Sequence, residues 1–423
     1  MSAANGSRDD SNDSLQNKLF EDPHLQDYLE RVAKILNISG AKYDIMKSGS
    51  NKGDNYVGVL HRIIIEGKEN GIPTKVPVIM KVPPKNETSR MVVQIDHLFP
   101  REHYFYAKIV PTFNEFLKTH NKLMENIPEC YFSTSDNRKE AVCLEDLGVK
   151  GFVMRDRLKE MDFAHASIIM KTWGRFHALS FALRDQRPDI FKSEIAAMKE
   201  ALWRPEVVQH PDIVTRVNTL GKYVKMALAQ ENSKYLEKFT KFLSDVPRHL
   251  ETSCDGSLAE PYAVLNHGDS WSNNMMFRYE EGSDEPKDIY MIDFQLCRYA
   301  SPASDISYIL YTSCSNDLRK NHFDELIKIY YDSLSSYLLE LGSDPEKLFP
   351  FEALLKQLKI FSTYVAGMGI LIMHALTSEP NDVQDFDPAN FNPDNLEERL
   401  KRDHFWRNTL RDVYKDLIDR DFI

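Results

Sequence analysis

The hydrophobic period of this chain changes near residue 150, and that change limits the folds open to it. Over residues 42–83 the pattern is that of strands, with β-branched runs at 56–66 and 76–82 divided by residues 67–74. Three antiparallel strands are expected, the first and second joined by the polar, two-glycine loop 48–55. A helix precedes them: Asp22 supplies an N-cap, Pro23 stands in the first turn, and Leu25, Leu29, Val32 and Leu36 recur at three- and four-residue steps. Residues 99–118 read as a second helix, and short strand-like runs follow at 130–133 and 141–144.

Beyond residue 150 the apolar spacing is helical. Asp162 is placed to cap a long helix to about Asp185, with Ile168, Ile169, Trp173, Phe176 and Phe181 on its apolar side. Further helices are expected at 197–202, 211–229, 233–249, 322–341, 351–376 and 396–418. One β island, residues 264–293, interrupts them with two strand-like runs around the acidic turn 280–288. A small β-rich part followed by a larger helical part specifies an α+β, two-lobed architecture. The expected division is a disordered polar tail over 1–21, an N-terminal lobe over 22–145 and a C-terminal lobe over 146–423.

Charge narrows the partners. With 64 acidic against 53 basic side chains the net charge is −11, which argues against nucleic acid bound through its phosphates. Five cysteines, at 130, 143, 254, 297 and 314, form no C-x-x-C pair, so neither a disulfide framework nor a zinc knuckle is indicated. The N-terminus lacks the charged-then-apolar pattern of a signal peptide, and the longest apolar stretch, 361–376, is shorter than the roughly 20 residues a membrane span needs. A cytoplasmic protein without a membrane span is expected, and no protein partner is indicated.

The β island carries the chemistry. His267-Gly268-Asp269 is followed by Asn274, five residues past the aspartate, and Asp293 closes the next hairpin within Ile292-Asp293-Phe294. Phosphoryl transfer from ATP asks for this set: one carboxylate to orient the acceptor hydroxyl, and an amide oxygen with a second carboxylate to hold Mg²⁺. Taken singly, Gly-Asp and Asn-Asn are ordinary turn formers. The ordered combination is far more specific than either.

The wording extends further. Residues 265–277 read LNHGDSWSNNMMF, residues 291–295 read MIDFQ and residues 142–147 read VCLEDL. Together they resemble the ecdysteroid kinase-like family of insects, within the protein-kinase-like superfamily of choline kinases and aminoglycoside phosphotransferases. The similarity runs from about residue 35 to 415.

The resemblance implies a protein-kinase-like fold with ATP between the lobes. It makes Asp269 the catalytic aspartate, Asn274 and Asp293 the Mg²⁺ ligands, and His267 and Asp305 structural supports of the catalytic loop. Lys81 becomes the phosphate-binding lysine of the third strand, with Glu102, 21 residues on, as its partner, although Glu87 and Glu115 flank the same region. Ser50, Asn51, Lys52 and Gly53 would lie over the phosphates, where glycine lets backbone N–H groups approach an anion. Residues 143–147 would be the hinge beside adenine, which makes Glu145 and Leu147 binding candidates; Glu145 and Asp146 read equally well as lobe-positioning residues. The implied activity is an ATP- and Mg²⁺-dependent kinase acting on a small-molecule alcohol, an ecdysteroid or another hydroxylated lipophile. Two alternatives stay open: a choline- or ethanolamine-type acceptor, and a pseudokinase that binds nucleotide without turnover. The Tyr364 to Met373 stretch reads as plain core rather than as a substrate pocket.

Overall fold

The computed structural model of the protein describes residues 23–46, 58–92, 94–379 and 393–423. The expected tail, the Asp22 cap and the loop carrying Ser50, Asn51, Lys52 and Gly53 lie outside the described residues. The chain divides into two compact units. One contains the residues up to His103 together with Pro128–Lys150, the other Tyr104–Ile127 and Gly151–Ile423.

Among the described residues of the first unit, five strands form one antiparallel sheet: β1 (Ile38–Met46), β2 (Val59–Glu69), β3 (Ile72–Val82), β4 (Cys130–Thr134) and β5 (Ala141–Glu145). Their order is β1-β2-β3-β5-β4. Alternate side chains on one face, Ile63, Ile65, Val78, Met80 and Cys143, are closed to solvent and form one core with Leu25, Leu29 and Val32 of helix α1 (Pro23–Ile35). Each such burial contributes roughly 1.5–3 kcal/mol. Residues 67–74, expected to divide two strands, largely belong to them. β2 and β3 stay paired out to Glu69 and Ile72, and only Asn70-Gly71 turns. Both turn residues have positive φ, 49° and 84°, which Asn-Gly accepts with little strain.

Because side chains alternate along a strand, Lys81 faces away from Met80. On its side lies α3 (Ile95–Tyr104), reached through the short α2 (Glu87–Val92). The helix expected over 99–118 begins earlier and is interrupted: a π-turn (Phe105–Ile109) separates α3 from α4 (Val110–Lys118). Val110 N–H donates to the Phe105 carbonyl, and Pro111, without an N–H, cannot restore the α-helical ladder at that point.

The second unit is mainly helical. Asp162 caps α5 (Phe163–Gln186), accepting from the His165 N–H at 3.0 Å. Its expected one-sided apolar stripe is instead burial on nearly every side, since α5 packs against α10 (Asn316–Glu340), a strand hairpin and several shorter elements. Three expected helices are each two. Residues 233–249 divide into α7 (Ser233–Leu243) and α8 (Val246–Ser253), with Pro247 in the first turn of the latter. Residues 351–376 divide at Ser362 into α11 (Phe351–Phe361) and the almost wholly buried α12 (Thr363–Leu376), with a bend of 43° between them. Residues 396–418 divide into α13 (Pro393–Arg402) and α14 (His404–Asp419), the latter capped by Asp403. The helix α6 (Pro211–Leu228) is continuous, as expected. Residues 197–202 form no helix. There the Glu200 carboxylate accepts from the backbone N–H groups of Leu202 and Trp203, giving that backbone an alternative to helical pairing. Among the described residues no single helix is long and apolar enough to cross a membrane.

Residue His374 on α12 makes the fold sensitive to acid. Burial, with Arg216 and Arg399 nearby, pushes its imidazole down to about 3, whereas the unfolded chain titrates near 6.5. The unfolded state therefore binds the extra proton first, and stability is lost as pH falls from 6.5 towards 3. By pH 5 the loss from this group is about 2 kcal/mol. Urea midpoints at pH 7.5 and 5.0 should differ less in His374→Gln than in wild type; an equal difference would contradict this assignment.

Candidate active site

Strand β7 (Val264–Asn266) pairs with β10 (Arg298–Ala300), and β8 (Met275–Tyr279) lies between β6 (Val153–Met154) and β9 (Pro286–Met291). The loop 267–274 leaves β7 and enters β8, while Asp293 follows β9 by two residues. The β8–β9 pairing, Met275 opposite Met291, continues to Asn274 opposite Ile292, the residue that precedes Asp293. The Ile292 N–H fixes this by donating to the Asn274 carbonyl at 3.0 Å.

Asn274 Nδ2 donates to Asp269 twice, to the carbonyl at 2.8 Å and to Oδ2 at 3.0 Å. Tyr308 OH donates to Oδ1 at 3.3 Å. Burial and the nearby charge of Asp293 push the Asp269 carboxyl up to about 6. Asp293 adopts left-handed backbone, φ 67° and ψ 66°, a conformation that costs a non-glycine residue energy. The next side chain anchors it: the Phe294 ring stacks on Phe105 with centroids 3.8 Å apart and planes 5° from parallel.

A buried carboxylate whose proton affinity is raised by the charge of a neighbouring one suits a cation beside it. With Asn274 Nδ2 committed to Asp269, its amide oxygen is the atom left to offer, and an amide oxygen plus a carboxylate is the oxygen donor set that Mg²⁺ accepts beside substrate phosphates. Such a site needs no cluster of three acidic or thiolate ligands, and the described residues contain none.

The loop is braced from beneath by α9 (Pro302–Thr312), whose N-cap is Ser301. Asp305, in the first turn, accepts from the N–H groups of His267 at 2.7 Å and Gly268 at 2.9 Å, and pairs with His177 at 3.2 Å. Burial works against its charge, but the His177 and Gly268 hydrogen bonds outweigh burial and hold the carboxyl below its usual range. His267 is wholly buried. Its Nδ1 accepts from the Asp269 N–H at 3.2 Å, so Nε2 carries the proton and donates to the Ile292 carbonyl at 2.9 Å. Both ring nitrogens are thus committed to holding the loop. Gly268, at φ 85°, lies so close to Leu296 that a Cβ would overlap its carbonyl oxygen.

Several residues here had no motif to mark them. Tyr364 OH donates to the Gly268 carbonyl at 3.0 Å, so the stretch read as plain core also reaches the loop. Arg298 Nη1 donates to the same carbonyl at 3.3 Å, lies over the Tyr364 ring and pairs with Glu200 at 3.2 Å. Only Tyr308 had a legible signal: it lies one helical turn after Asp305, on the same face of α9.

In the first unit, Lys81 Nζ lies 2.9 Å from Glu102 Oε2, both side chains almost fully buried and the ammonium 5.7 Å from the Phe99 ring centre. Buried charges persist only when paired, and these two are. The other acids flanking the region are committed elsewhere or exposed: Glu87 pairs with Arg138 and Glu115 faces solvent. Glu145 accepts from the Glu129 N–H at 3.0 Å and pairs with Lys150, while Asp146 accepts from the Gly148 N–H at 2.9 Å and pairs with Arg62. Both carboxylates brace the turn after β5, and Leu147 is buried at its start.

Comparison with known proteins gives this geometry a family. The sequence profile of the ecdysteroid kinase-like family matches residues 52–343. An uncharacterized oxidoreductase, dhs-27, of Caenorhabditis elegans is 21% identical over 339 residues, covering 74% of this chain and 38% of that protein. A 4-hydroxytryptamine kinase of Psilocybe cyanescens is 38% identical over 47 residues, 11% of this chain and 13% of that one. The chain thus spans less than two fifths of the length of these curated relatives. Among solved structures, the GDP complex of wild-type aminoglycoside 2'-phosphotransferase-IIIa is similar at 11% identity and a TM-score of 0.40, covering 92% of this chain and 97% of that one. On the extent of the profile match, well over half its length, the chain belongs to the ecdysteroid kinase-like family.

Proposed function

We propose that this protein is an ATP- and Mg²⁺-dependent small-molecule kinase that transfers the γ-phosphoryl group to a hydroxyl of an ecdysteroid or a similar lipophilic alcohol. The observation that carries the reading is the convergence of Asp269, Asn274 and Asp293 on one hairpin, with both Asp269 carboxylate oxygens held by hydrogen bonds. The family's name and the kinase among the curated relatives support a hydroxylated small molecule as acceptor.

In this reading the acceptor oxygen bonds to the γ-phosphorus as the bond from that phosphorus to the ADP oxygen breaks. The hydroxyl proton passes to Asp269, which orients the hydroxyl before transfer. Asn274 Oδ1 and Asp293 would hold Mg²⁺, which when bound offsets the phosphate charge. Lys81, kept in place by Glu102, offers its ammonium to the phosphates, as do Ser50, Asn51, Lys52 and Gly53 their backbone. The backbone around Glu145 and Leu147 faces the adenine edge. A cytoplasmic residence belongs to the same proposal.

The metal role has a direct test. Titration calorimetry of ATP with and without Mg²⁺ should show the Mg²⁺-dependent gain in affinity reduced at least tenfold in Asp293→Ala. An unchanged gain would remove Asp293 from the metal site.

A further inference from the structure

We infer that Tyr308 is a positioning residue, fixing the plane of the Asp269 carboxylate against which the acceptor hydroxyl is aligned. The inference rests on the kinase reading above and deepens it. Among residues 263–275, Asp269 alone is not closed to solvent, so the acceptor reaches the loop at that side chain. A carboxylate turns about a broad, roughly two-fold terminal torsion. One hydrogen bond, from Asn274 Nδ2 to Oδ2, leaves rotation about that contact open. The second, from Tyr308 OH to Oδ1 at 3.3 Å, closes it.

Tyr308 is itself well placed to set an orientation. Its side chain is 2% exposed, its ring centre lies 5.6 Å from that of Tyr364, and α9 carries it one turn beyond Asp305. A buried phenol keeps its hydroxyl bonded, and the partner here is the carboxylate. The backbone of the loop does not depend on this contact. His267 N–H and Gly268 N–H are held by Asp305, the Gly268 carbonyl by Tyr364 and Arg298, and Ser270 Oγ donates to the Asp305 carbonyl at 3.1 Å. Removing the Tyr308 oxygen therefore frees the reacting carboxylate while the loop stays in place. Misplacing a reacting group by about 1 Å costs on the order of 10²-fold in rate.

The test is a double-mutant cycle on the full chain. Phosphate release from ATP with Mg²⁺, water standing in for the acceptor, is measured for wild type, Tyr308→Phe, Asp269→Asn and the double variant. Hydrogen exchange of peptides spanning 264–276 is followed alongside. Tyr308→Phe is expected to lower kcat about 10- to 100-fold with KM for ATP within about twofold, and to leave exchange unchanged. In the Asp269→Asn background it should cost less than about twofold more, because nothing remains to be oriented. An unchanged kcat, the same loss in both backgrounds, or faster exchange in the loop would each overturn the inference. Wild-type turnover in Asp269→Asn would sink the kinase reading and this inference with it. A silent Tyr308→Phe beside an inactive Asp269→Asn would sink the inference alone.

Discussion

Asp269→Asn should lower phosphoryl transfer about 10³-fold and at the same time raise the melting temperature of the ligand-free protein. The two effects share one cause. In the folded chain the Asp269 carboxyl titrates near 6 instead of 3.8, because burial and then the Asp293 charge disfavour its ionised form. For an acid whose pKa rises on folding, stability declines as pH climbs from 3.8 to about 6, and the deficit persists above that. It amounts to at most about 3 kcal/mol at neutral pH. The amide is isosteric and uncharged, so it removes that cost while keeping an oxygen that can accept from Asn274 or Tyr308. It cannot take the acceptor's proton. Thermal melts at pH 7.5 without Mg²⁺, paired with a transfer assay, check both halves. A retained rate, or a clearly lower melting temperature, would contradict this account of the site.

The largest loss of stability is expected from Asp305→Ala, at about 3–5 kcal/mol, with activity lost as well. The carboxylate accepts from two buried backbone N–H groups and from His177, and alanine would leave all three without their acceptor inside the protein. Asp305→Asn keeps an acceptor oxygen and should cost less. Urea unfolding at pH 7 measures the pair. A loss below about 1 kcal/mol for alanine would mean that water or rearrangement replaces the brace, and would refute the claim that Asp305 holds the loop.

The chemistry-bearing residues were legible because they are close in sequence or stand on regular elements. Asp269 and Asn274 are five residues apart in one loop, and Asp293 closes the hairpin that follows. Lys81 and Glu102 were paired through the family resemblance, the lysine on a β-branched run and the glutamate on the helix that follows, and the structure joins them at 2.9 Å. Of the supports, His267 and Asp305 came with the family resemblance, whereas Tyr364 and Arg298 were not legible, because they act across long stretches of chain. Tyr364 lies 96 residues from Gly268 and sits in a helix whose other side chains are mostly apolar and buried. Arg298 reaches the loop from a three-residue strand and is neutralised by Glu200, in a segment the helical spacing misassigned. There a side-chain carboxylate bonding to nearby backbone N–H groups overrides apolar periodicity. The hairpin between β2 and β3 shows the same limit on a smaller scale. The polar run 67–74 looks like a loop, yet Asn70-Gly71 alone suffices to reverse the chain, so the strands continue almost to the turn. Helix α5 was misjudged in the other direction: a single apolar side was expected, but the polar residues His165, Ser167, Thr172, His177 and Ser180 are buried as well and several serve neighbouring segments.

The central claim, that this site moves phosphate from ATP to an alcohol, is tested most directly by following the label of γ-labelled ATP. Wild type and Asp269→Asn would be incubated with a panel of ecdysteroids, choline and phenolic glycosides, each with Mg²⁺ and with EDTA. A labelled phosphate ester of an ecdysteroid or similar lipophilic alcohol, formed by wild type only when Mg²⁺ is present and lost in Asp269→Asn, is the predicted result. The same product rate from both proteins with every acceptor, or no ester from wild type with any of them, would contradict it.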